Sequence, residues 1–245
     1  LSETKRFENN TAVLDILLKQ KNIEPFLPRI IHHAARIADK EVIFKYAPLA
    51  AKQASKLGAH EQALKHYMTA LQFSEHLSAG EQLEMLEGYA HECYLTARIE
   101  EGIKACKSIK EILRDHHNPL REGENYRRLS RLLWYSGKDR EGEEYLLKAI
   151  DTLKEFTPGK ELAMSYSNLS QIYMLREETG TALKWGEKAA ELAKSLNDVE
   201  IEAHALNNIG ASKMFASDDT GEKYQKKISN FLFRIIFTNM LAELM

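Results

Sequence analysis

The stretch ELAMSYSNLSQIYMLREETGTALKWGEKAAELA, residues 161–193, decides the fold class. Two stripes of apolar and small residues at helical spacing run through it, at Leu162, Tyr166, Leu169 and Tyr173 and then at Ala182, Leu183, Gly186 and Ala189. A break at Thr179-Gly180 separates the two stripes. The small residues of the second stripe would let two antiparallel helices approach closely. The stretch therefore predicts a helical hairpin.

The same hairpin pattern returns about every forty residues along the chain. A small residue in the first half of each second helix lies at Ala63, Gly102, Gly142 and Ala182, in steps of 39, 40 and 40. A column in the first helices has the same period, at Ala51, Ala90, Ser130, Ser170 and Gly210. Units that repeat at such a period stack on their neighbours rather than around one shared core. We expect an all-α protein, a superhelical array of antiparallel helix hairpins of the α-solenoid class.

Three segments are predicted. Residues 1–42 should form two capping helices, at about 8–20 and 24–39, that cover the first face of the array. Residues 43–220 hold the repeats, with hairpins at 43–77, 80–116, 121–155 and 159–195 and a further first helix at 199–216. Residues 221–245 depart from the pattern, because Glu222 and Ser229 stand where small or apolar residues are expected. We expect a C-terminal helix there that packs on the last repeat; a dimerising surface and an altered reading frame are the alternatives.

Composition excludes several classes of function. Lys plus Arg number 34 and Asp plus Glu 36, so the net charge of −2 gives no field that would recruit nucleic acid or an anionic membrane. The first twenty residues carry charges throughout and lack the apolar core of a signal peptide. Cys93 and Cys106 fall on core columns and are predicted to be buried, reduced thiols. We expect a cytoplasmic protein without direct binding to nucleic acid or membrane.

The repeat columns resemble the tetratricopeptide repeat, although the period is longer than the usual one of roughly 34 residues. Six short motifs are also similar to the helical-repeat region of large bacterial LuxR-type regulators with an AAA/STAND ATPase, a MalT-like architecture. These motifs are Ile31–Ala34, Leu57–His60, Arg131–Trp134, Glu161–Ala163, Lys184–Gly186 and His204–Gly210. The resemblance spans residues 25–224 and implies an ATPase before this region and a helix-turn-helix after it.

Catalytic and metal-binding patterns are missing from the sequence. It contains neither G-x-x-x-x-G-K-[ST] nor G-x-S-x-G. The pairs His32-His33 and His116-His117 point about 100° apart on a helix, so neither pair suits one metal ion. We therefore predict a protein that is not an enzyme and that needs no metal or cofactor.

The first helices of such an array line its concave groove, where ligands and peptides bind. Our candidate groove residues are His91, Tyr94, Arg127, Arg131, Trp134, Asn168, Gln171, Asn207 and Asn208. Two guanidinium groups and an aromatic ring one turn apart suit an acidic ligand, unless the arginines pair with local carboxylates such as Glu87 or Glu124. Asn168 and Asn208, forty residues apart, would bond an extended peptide backbone or merely the neighbouring helix.

We predict a helical-repeat region of a bacterial signalling or transcriptional regulator that binds a protein, peptide or small effector in this groove. The alternative is a free-standing tetratricopeptide adaptor. Homo-oligomerisation through the outer faces or the apolar tail stays open.

Overall fold

The structure is a computed structural model that describes residues 2–156 and 158–216, and all regular elements in these ranges are helical. The eleven α-helices, in chain order, are α1 Glu3–Leu18, α2 Leu27–Arg36, α3 Lys40–Lys56, α4 His60–Leu71, α5 Ala79–Leu95, α6 Ile99–Asp115, α7 Pro119–Tyr135, α8 Asp139–Leu153, α9 Lys160–Leu175, α10 Thr179–Ser195 and α11 Val199–Phe215. Short 3-10 helices lie at Glu24–Phe26 and Ser74–His76. The predicted fold class is confirmed. The predicted helix at the end of the chain, like residues 217–220 of the repeat segment, lies outside the described residues.

Two compact units make up the chain, and the second begins at Asn118. In the first unit, α2 packs on α1 and α3, and α3 to α6 follow as hairpins in which each helix contacts the next. Its main core includes the fully buried Ile30, Ile43 and Ala63. The second of the two predicted N-terminal helices is shorter than expected, because Glu24–Phe26 forms a 3-10 turn in front of Leu27.

In the second unit, α9 occupies the central place. It packs against its hairpin partner α10, against the preceding helix α8, and against the two other first helices, α7 and α11. A core of Leu146, Ala149, Leu153, Leu162 and Leu169 joins α8 to α9. Because α9 contacts both α7 and α11, polar side chains from three consecutive first helices can meet on one side of this unit.

Local sequence fixes where several helices begin. Asp39, Asn118 and Asp198 each accept a hydrogen bond from a backbone N–H in the first turn, and Ser78 with Glu81 forms a capping box. Pro119 follows Asn118 at the first helical position, where its missing N–H costs nothing. Such caps satisfy N–H groups that have no partner inside the helix.

The turns inside the four described hairpins share one backbone geometry. A residue with positive φ closes the first helix at Gly58, Ala97, Gly137 and Glu177, in steps of 39, 40 and 40. The following N–H then donates back across the turn, as from Lys138 to the carbonyl of Leu133 at 2.9 Å, which is the Schellman pattern. The break predicted at Thr179-Gly180 is therefore misplaced: the chain reverses at Glu177, and α10 already begins at Thr179.

The small column that revealed the repeat lies where the helices of a hairpin come closest. Ala63, Gly102, Gly142 and Ala182 are all buried. A Cβ at Gly142 would lie 2.9 Å from the backbone oxygen of Ser130, so the contact leaves no room for a methyl group. Cys93 and Cys106 are buried, as predicted, and burial raises the pKa of the Cys93 thiol to about 11.

Candidate functional site

Polar side chains of α7, α9 and α11 form the candidate site, which lies in the second unit. Arg131 on α7 donates from Nη1 to Oδ1 of Asn168 at 3.0 Å and to Oε1 of Gln171 at 3.2 Å, both on α9. These three residues were predicted from the sequence, and the structure brings them into direct contact. The two oxygens that Nη1 meets belong to uncharged amides, so these bonds orient the guanidinium without neutralising its charge.

Arg127 behaves differently from Arg131. Its Nε donates to Oε2 of Glu124 at 2.8 Å, and its Nη2 donates to the other oxygen of the same carboxylate. Arg128 contacts Glu124 as well, at 3.4 Å. For Arg127 the local pairing that we considered as an alternative is thus present, because both residues lie on one face of α7, three positions apart.

Asn168 and Asn208 occupy equivalent places on α9 and α11, and both are almost completely buried, with 2% and 0% of their surface exposed. In each asparagine, one of the two polar atoms of the side-chain amide forms a hydrogen bond with a neighbouring helix. Asn168 accepts from Arg131, whereas Asn208 donates from Nδ2 to the backbone oxygen of Ser167 at 2.9 Å. The other halves, Nδ2 of Asn168 and Oδ1 of Asn208, have no hydrogen-bond partner. Such buried polar atoms are rare and call for an explanation.

His204 on α11 belongs to the same cluster, although the sequence did not suggest it. Its Nδ1 lies 2.7 Å from Oγ of the buried Ser167. Burial lowers the pKa of His204 to about 4, and the positive charges of Arg131 and Arg127 act in the same direction. The imidazole is therefore neutral at pH 7. Its place one turn before Asn208 on the same face of α11 is the signal that could have revealed it.

Trp134 lies at the C-terminal end of α7, next to a charged network. The guanidinium of Arg176 is 5.7 Å from the centre of its ring. Arg176 and the hydroxyl of Tyr173 both donate to Glu143 on α8. Burial alone would raise the pKa of Glu143, but these two hydrogen bonds lower it below its usual value. Glu143 thus binds the Arg176 guanidinium that lies over the ring of Trp134.

A cavity of about 50 Å³ lies between α7 and α9. Among its lining residues are Ser130, Arg131, Trp134, Asn168, Gln171 and Ile172. The charged residue in this lining is Arg131, and none of the described lining residues is acidic. Ser130 is 1% exposed, and its Oγ, like Nδ2 of Asn168, has no partner. Both residues line the cavity, and its polar side chains suit a hydrogen-bonding group from outside the chain.

The other predicted site residues lie elsewhere. Asn207 is exposed on α11, beside the buried Asn208. His91 and Tyr94 lie on α5 of the first unit, where His91 is exposed and Tyr94 half-buried.

Within residues 2–156 and 158–216, no three His, Cys, Asp or Glu side chains gather in a way that would hold a metal ion. Nδ1 of His33 instead lies 2.8 Å from Oδ1 of Asn10. None of the helices in these ranges combines the length and the apolar surface needed to cross a membrane.

No protein-family profile matches the sequence, and no curated protein matches it. Solved structures do match. The apo form of RapI superposes with a TM-score of 0.69 at 13% identity, covering 98% of this chain and 86% of RapI. A signal transduction ATPase with a tetratricopeptide repeat sensor from Pyrococcus horikoshii gives 0.66 at 18% identity, covering 93% of this chain and 36% of that protein.

PlcR of Bacillus thuringiensis, solved with the peptide PapR7 and DNA, gives a TM-score of 0.61 at 15% identity, covering 88% of this chain and 78% of PlcR. At identities this low the likeness concerns the fold alone. The chain therefore has the tetratricopeptide-like helical-repeat fold that its forty-residue period predicts.

Proposed function

We propose that this chain is a non-catalytic interaction region that binds a peptide segment of a partner along the first helices α7, α9 and α11. The observation that carries the proposal is the pair of equivalent, buried asparagines with unused amide atoms. Asn168 has a spare donor and Asn208 a spare acceptor. An extended peptide presents backbone N–H and C=O groups, which match one spare atom each. Both atoms are covered in the unbound chain, so a peptide reaches them where the neighbouring side chains move aside, and its hydrogen bonds then offset the cost of burying the two atoms.

The neighbouring structures support a regulatory setting for this binding. PlcR was solved with a peptide and DNA, and the Pyrococcus ATPase carries its tetratricopeptide repeats as a sensor. The motifs similar to LuxR-type regulators point the same way. We therefore propose that the chain is the sensing region of a cytoplasmic bacterial signalling or transcriptional regulator, with the ATPase and helix-turn-helix on other parts of the protein.

A free-standing adaptor is the second candidate. MamA, another solved structure with this fold, matches with a TM-score of 0.51 at 16% identity, and the match covers 77% of this chain and 91% of MamA, so the repeats make up nearly all of that chain. The two candidates differ in gene context. Translating the DNA on both sides should give an ATPase upstream and a helix-turn-helix downstream for the regulator. Start and stop signals directly at the ends of the repeat region would favour the adaptor.

Peptide binding can be tested without knowing the natural partner. A displayed library of random linear dodecapeptides would be selected on the immobilised full chain, and the affinity of the winning peptide measured by calorimetry. Asn168→Ala and Asn208→Ala should each weaken binding by about tenfold, because one hydrogen bond to a buried group is lost. Asn9→Ala, an exposed asparagine on α1 of the first unit, is the matched control and should bind as the wild type does.

Two results would overturn the proposal. One is a library that enriches no peptide on the wild-type chain relative to the Asn168→Ala, Asn208→Ala double variant. The other is a winning peptide whose affinity is the same for all variants. Circular dichroism and the thermal midpoint of each variant would show that lost binding does not come from unfolding.

A further inference from the structure

A second cleft lies in the first unit, between α1 and α2. Its volume is about 590 Å³, which falls within the range of roughly 300–1,000 Å³ that small-molecule sites span. Among its lining residues are Glu3, Arg6, Phe7 and Asn10 of α1 and His32 and Arg36 of α2. None of the described lining residues belongs to α3 or to a later helix, so the cleft is a feature of the N-terminal helix pair alone.

Helical spacing explains why these side chains share one cleft. On α1, positions 3, 6, 7 and 10 lie about one turn apart on one face, and on α2 so do His32 and Arg36. Asn10 ties the two helices together, because its Oδ1 lies 2.8 Å from Nδ1 of His33 and its Nδ2 donates to the backbone oxygen of Arg6 at 2.6 Å. A side-chain hydrogen bond thus joins the two walls of the cleft.

The positive charge of the cleft is not neutralised by a local carboxylate. Within residues 2–156 and 158–216, neither Arg6 nor Arg36 forms an ion pair. The potential is also positive on α2: burial is the main cause of the lowered pKa of His33, and the charges of His32 and Arg29 add to it. Guanidinium groups bind phosphate oxygens through two parallel hydrogen bonds, so the cleft suits a phosphate group.

Two further lining residues suit the other parts of a nucleotide. Phe7 is 54% exposed, and an aromatic ring of this kind can stack on a base of any sequence. Glu3 brings a carboxylate, which accepts hydrogen bonds, into the same lining. A simple anion gains nothing from Glu3, whereas the hydroxyl groups of a ribose are donors for it. The mixture of cations, aromatic ring and carboxylate therefore favours a ligand that carries a phosphate, a planar ring and hydroxyl donors.

We propose that the cleft between α1 and α2 binds a nucleoside monophosphate, with the phosphate on Arg6, Arg36 and His32 and the base on Phe7. This inference goes beyond the proposed peptide binding, because it concerns the first unit and another class of ligand. A phosphotyrosine side chain also combines a phosphate with a ring, but it has no donor for Glu3. Its binding is one outcome of the test.

The experiment uses the full chain at neutral pH and constant ionic strength, with affinities measured by calorimetry. AMP and UMP are the nucleotide probes. Adenosine lacks the phosphate, ribose 5-phosphate lacks the base, and phenyl phosphate stands for a phosphotyrosine side chain. The Cε1–H signal of His32 in NMR, assigned with a His32→Gln variant, locates the binding. The signal of His204, which lies in the second unit, is the internal reference.

At least one nucleotide should shift the His32 signal saturably while the His204 signal stays in place. Adenosine and ribose 5-phosphate should each bind about tenfold more weakly than that nucleotide. Arg6→Gln and Arg36→Gln should each weaken the nucleotide about tenfold, because each variant loses a charged contact with the phosphate. Arg140→Gln removes the same charge from an exposed position on α8 and should leave binding unchanged.

Phe7→Leu tests the ring by itself, because leucine keeps an apolar side chain at this exposed position. It should weaken AMP several-fold and leave ribose 5-phosphate unchanged. The site is overturned if neither nucleotide shifts His32, or if adenosine, ribose 5-phosphate or sodium chloride shifts it equally. It is also overturned if both arginine variants bind as the wild type does, or if phenyl phosphate binds more tightly than both nucleotides. Arg6 and Arg36 are exposed, and circular dichroism would show that their variants are folded.

Discussion

Arg131 and Asn168 meet across α7 and α9 through a 3.0 Å hydrogen bond from Nη1 to Oδ1, and this bond fixes which way the buried amide points. Because the amide oxygen is turned to Arg131, the NH₂ group is the half without a partner. Burial is the main cause of the lowered pKa of His204 on the next first helix, and the charge of Arg131 adds to it. Arg131 thus orients the amide of Asn168 and also acts on His204.

The effect of Arg131 on His204 gives the first prediction. In Arg131→Gln the imidazole loses a nearby positive charge, so its pKa should rise from about 4 toward the usual value of 6.5. Burial is the largest cause of the depression, so the recovery should be partial. The titration of the His204 Cε1–H signal by NMR measures the shift. Arg140→Gln is the matched control, and an unchanged His204 pKa in Arg131→Gln would contradict the prediction.

The stability of the protein should depend on pH through His204. The pKa of the imidazole is about 4 in the folded chain and about 6.5 when unfolded, so the unfolded chain binds more protons between these values. The free energy of unfolding should therefore fall as the pH drops from about 6.5 to about 4, with His204 contributing up to about 3 kcal/mol. Urea titrations at several pH values measure it.

His204→Gln is the control for this pH dependence. It removes the titrating group while the carboxylates and the partly buried His66, whose pKa is also lowered by burial, stay in place. The difference between wild type and variant should be largest below pH 5. Parallel stability curves over the whole pH range would show that His204 does not carry the effect.

Glycine substitutions in two hairpin turns should stabilise the protein. Ala97 and Glu177 have φ values of 57° and 60°, a conformation that costs a residue with a Cβ roughly 1 kcal/mol. Ala97→Gly and Glu177→Gly should each raise the free energy of unfolding by about 1 kcal/mol. Gly137→Ala, at the same place in another hairpin, should lower it by a similar amount, although nothing lies within 4 Å of its added Cβ. Equal stabilities in urea would contradict the role of φ.

These turns also show what sequence reasoning could reach. Glycine at positions 58 and 137 identifies two of the four hairpin turns in the sequence. Ala97 and Glu177 adopt the same positive-φ backbone, although glycine is the residue expected there. The fold class followed from the buried small column, because close helix contacts tolerate few residue types. The helix end at Glu177 did not, since the Schellman bond depends on backbone geometry and leaves no side-chain signal there.

The candidate site was predictable to a similar degree. Helical spacing placed Arg131 and Gln171 on groove-lining columns and Asn168 next to the groove, and the structure joins the three by hydrogen bonds. The sequence could not decide whether the arginines bind an acidic ligand or pair with local carboxylates. In the structure Arg127 pairs with Glu124 on the same helix. The unused amide halves of Asn168 and Asn208 depend on atomic positions, so no pattern of residue types could reveal them.

Close packing at Gly186 gives the last prediction. This glycine on α10 lies between α9 and α11, and an added Cβ would be 2.9 Å from Oγ of Ser170 and 2.7 Å from Cγ1 of Ile209. Gly186→Ala should therefore lower the free energy of unfolding by about 1 to 3 kcal/mol through overpacking. Gly180→Ala in the same helix meets nothing within 4 Å and should raise it by up to about 1 kcal/mol, because alanine favours the helix. Urea denaturation of the two variants separates the effect of crowding from that of helix propensity. If both variants were more stable than the wild type, α9, α10 and α11 would not be in close contact at Gly186. That contact is what aligns α9 with the other first helices around Arg131.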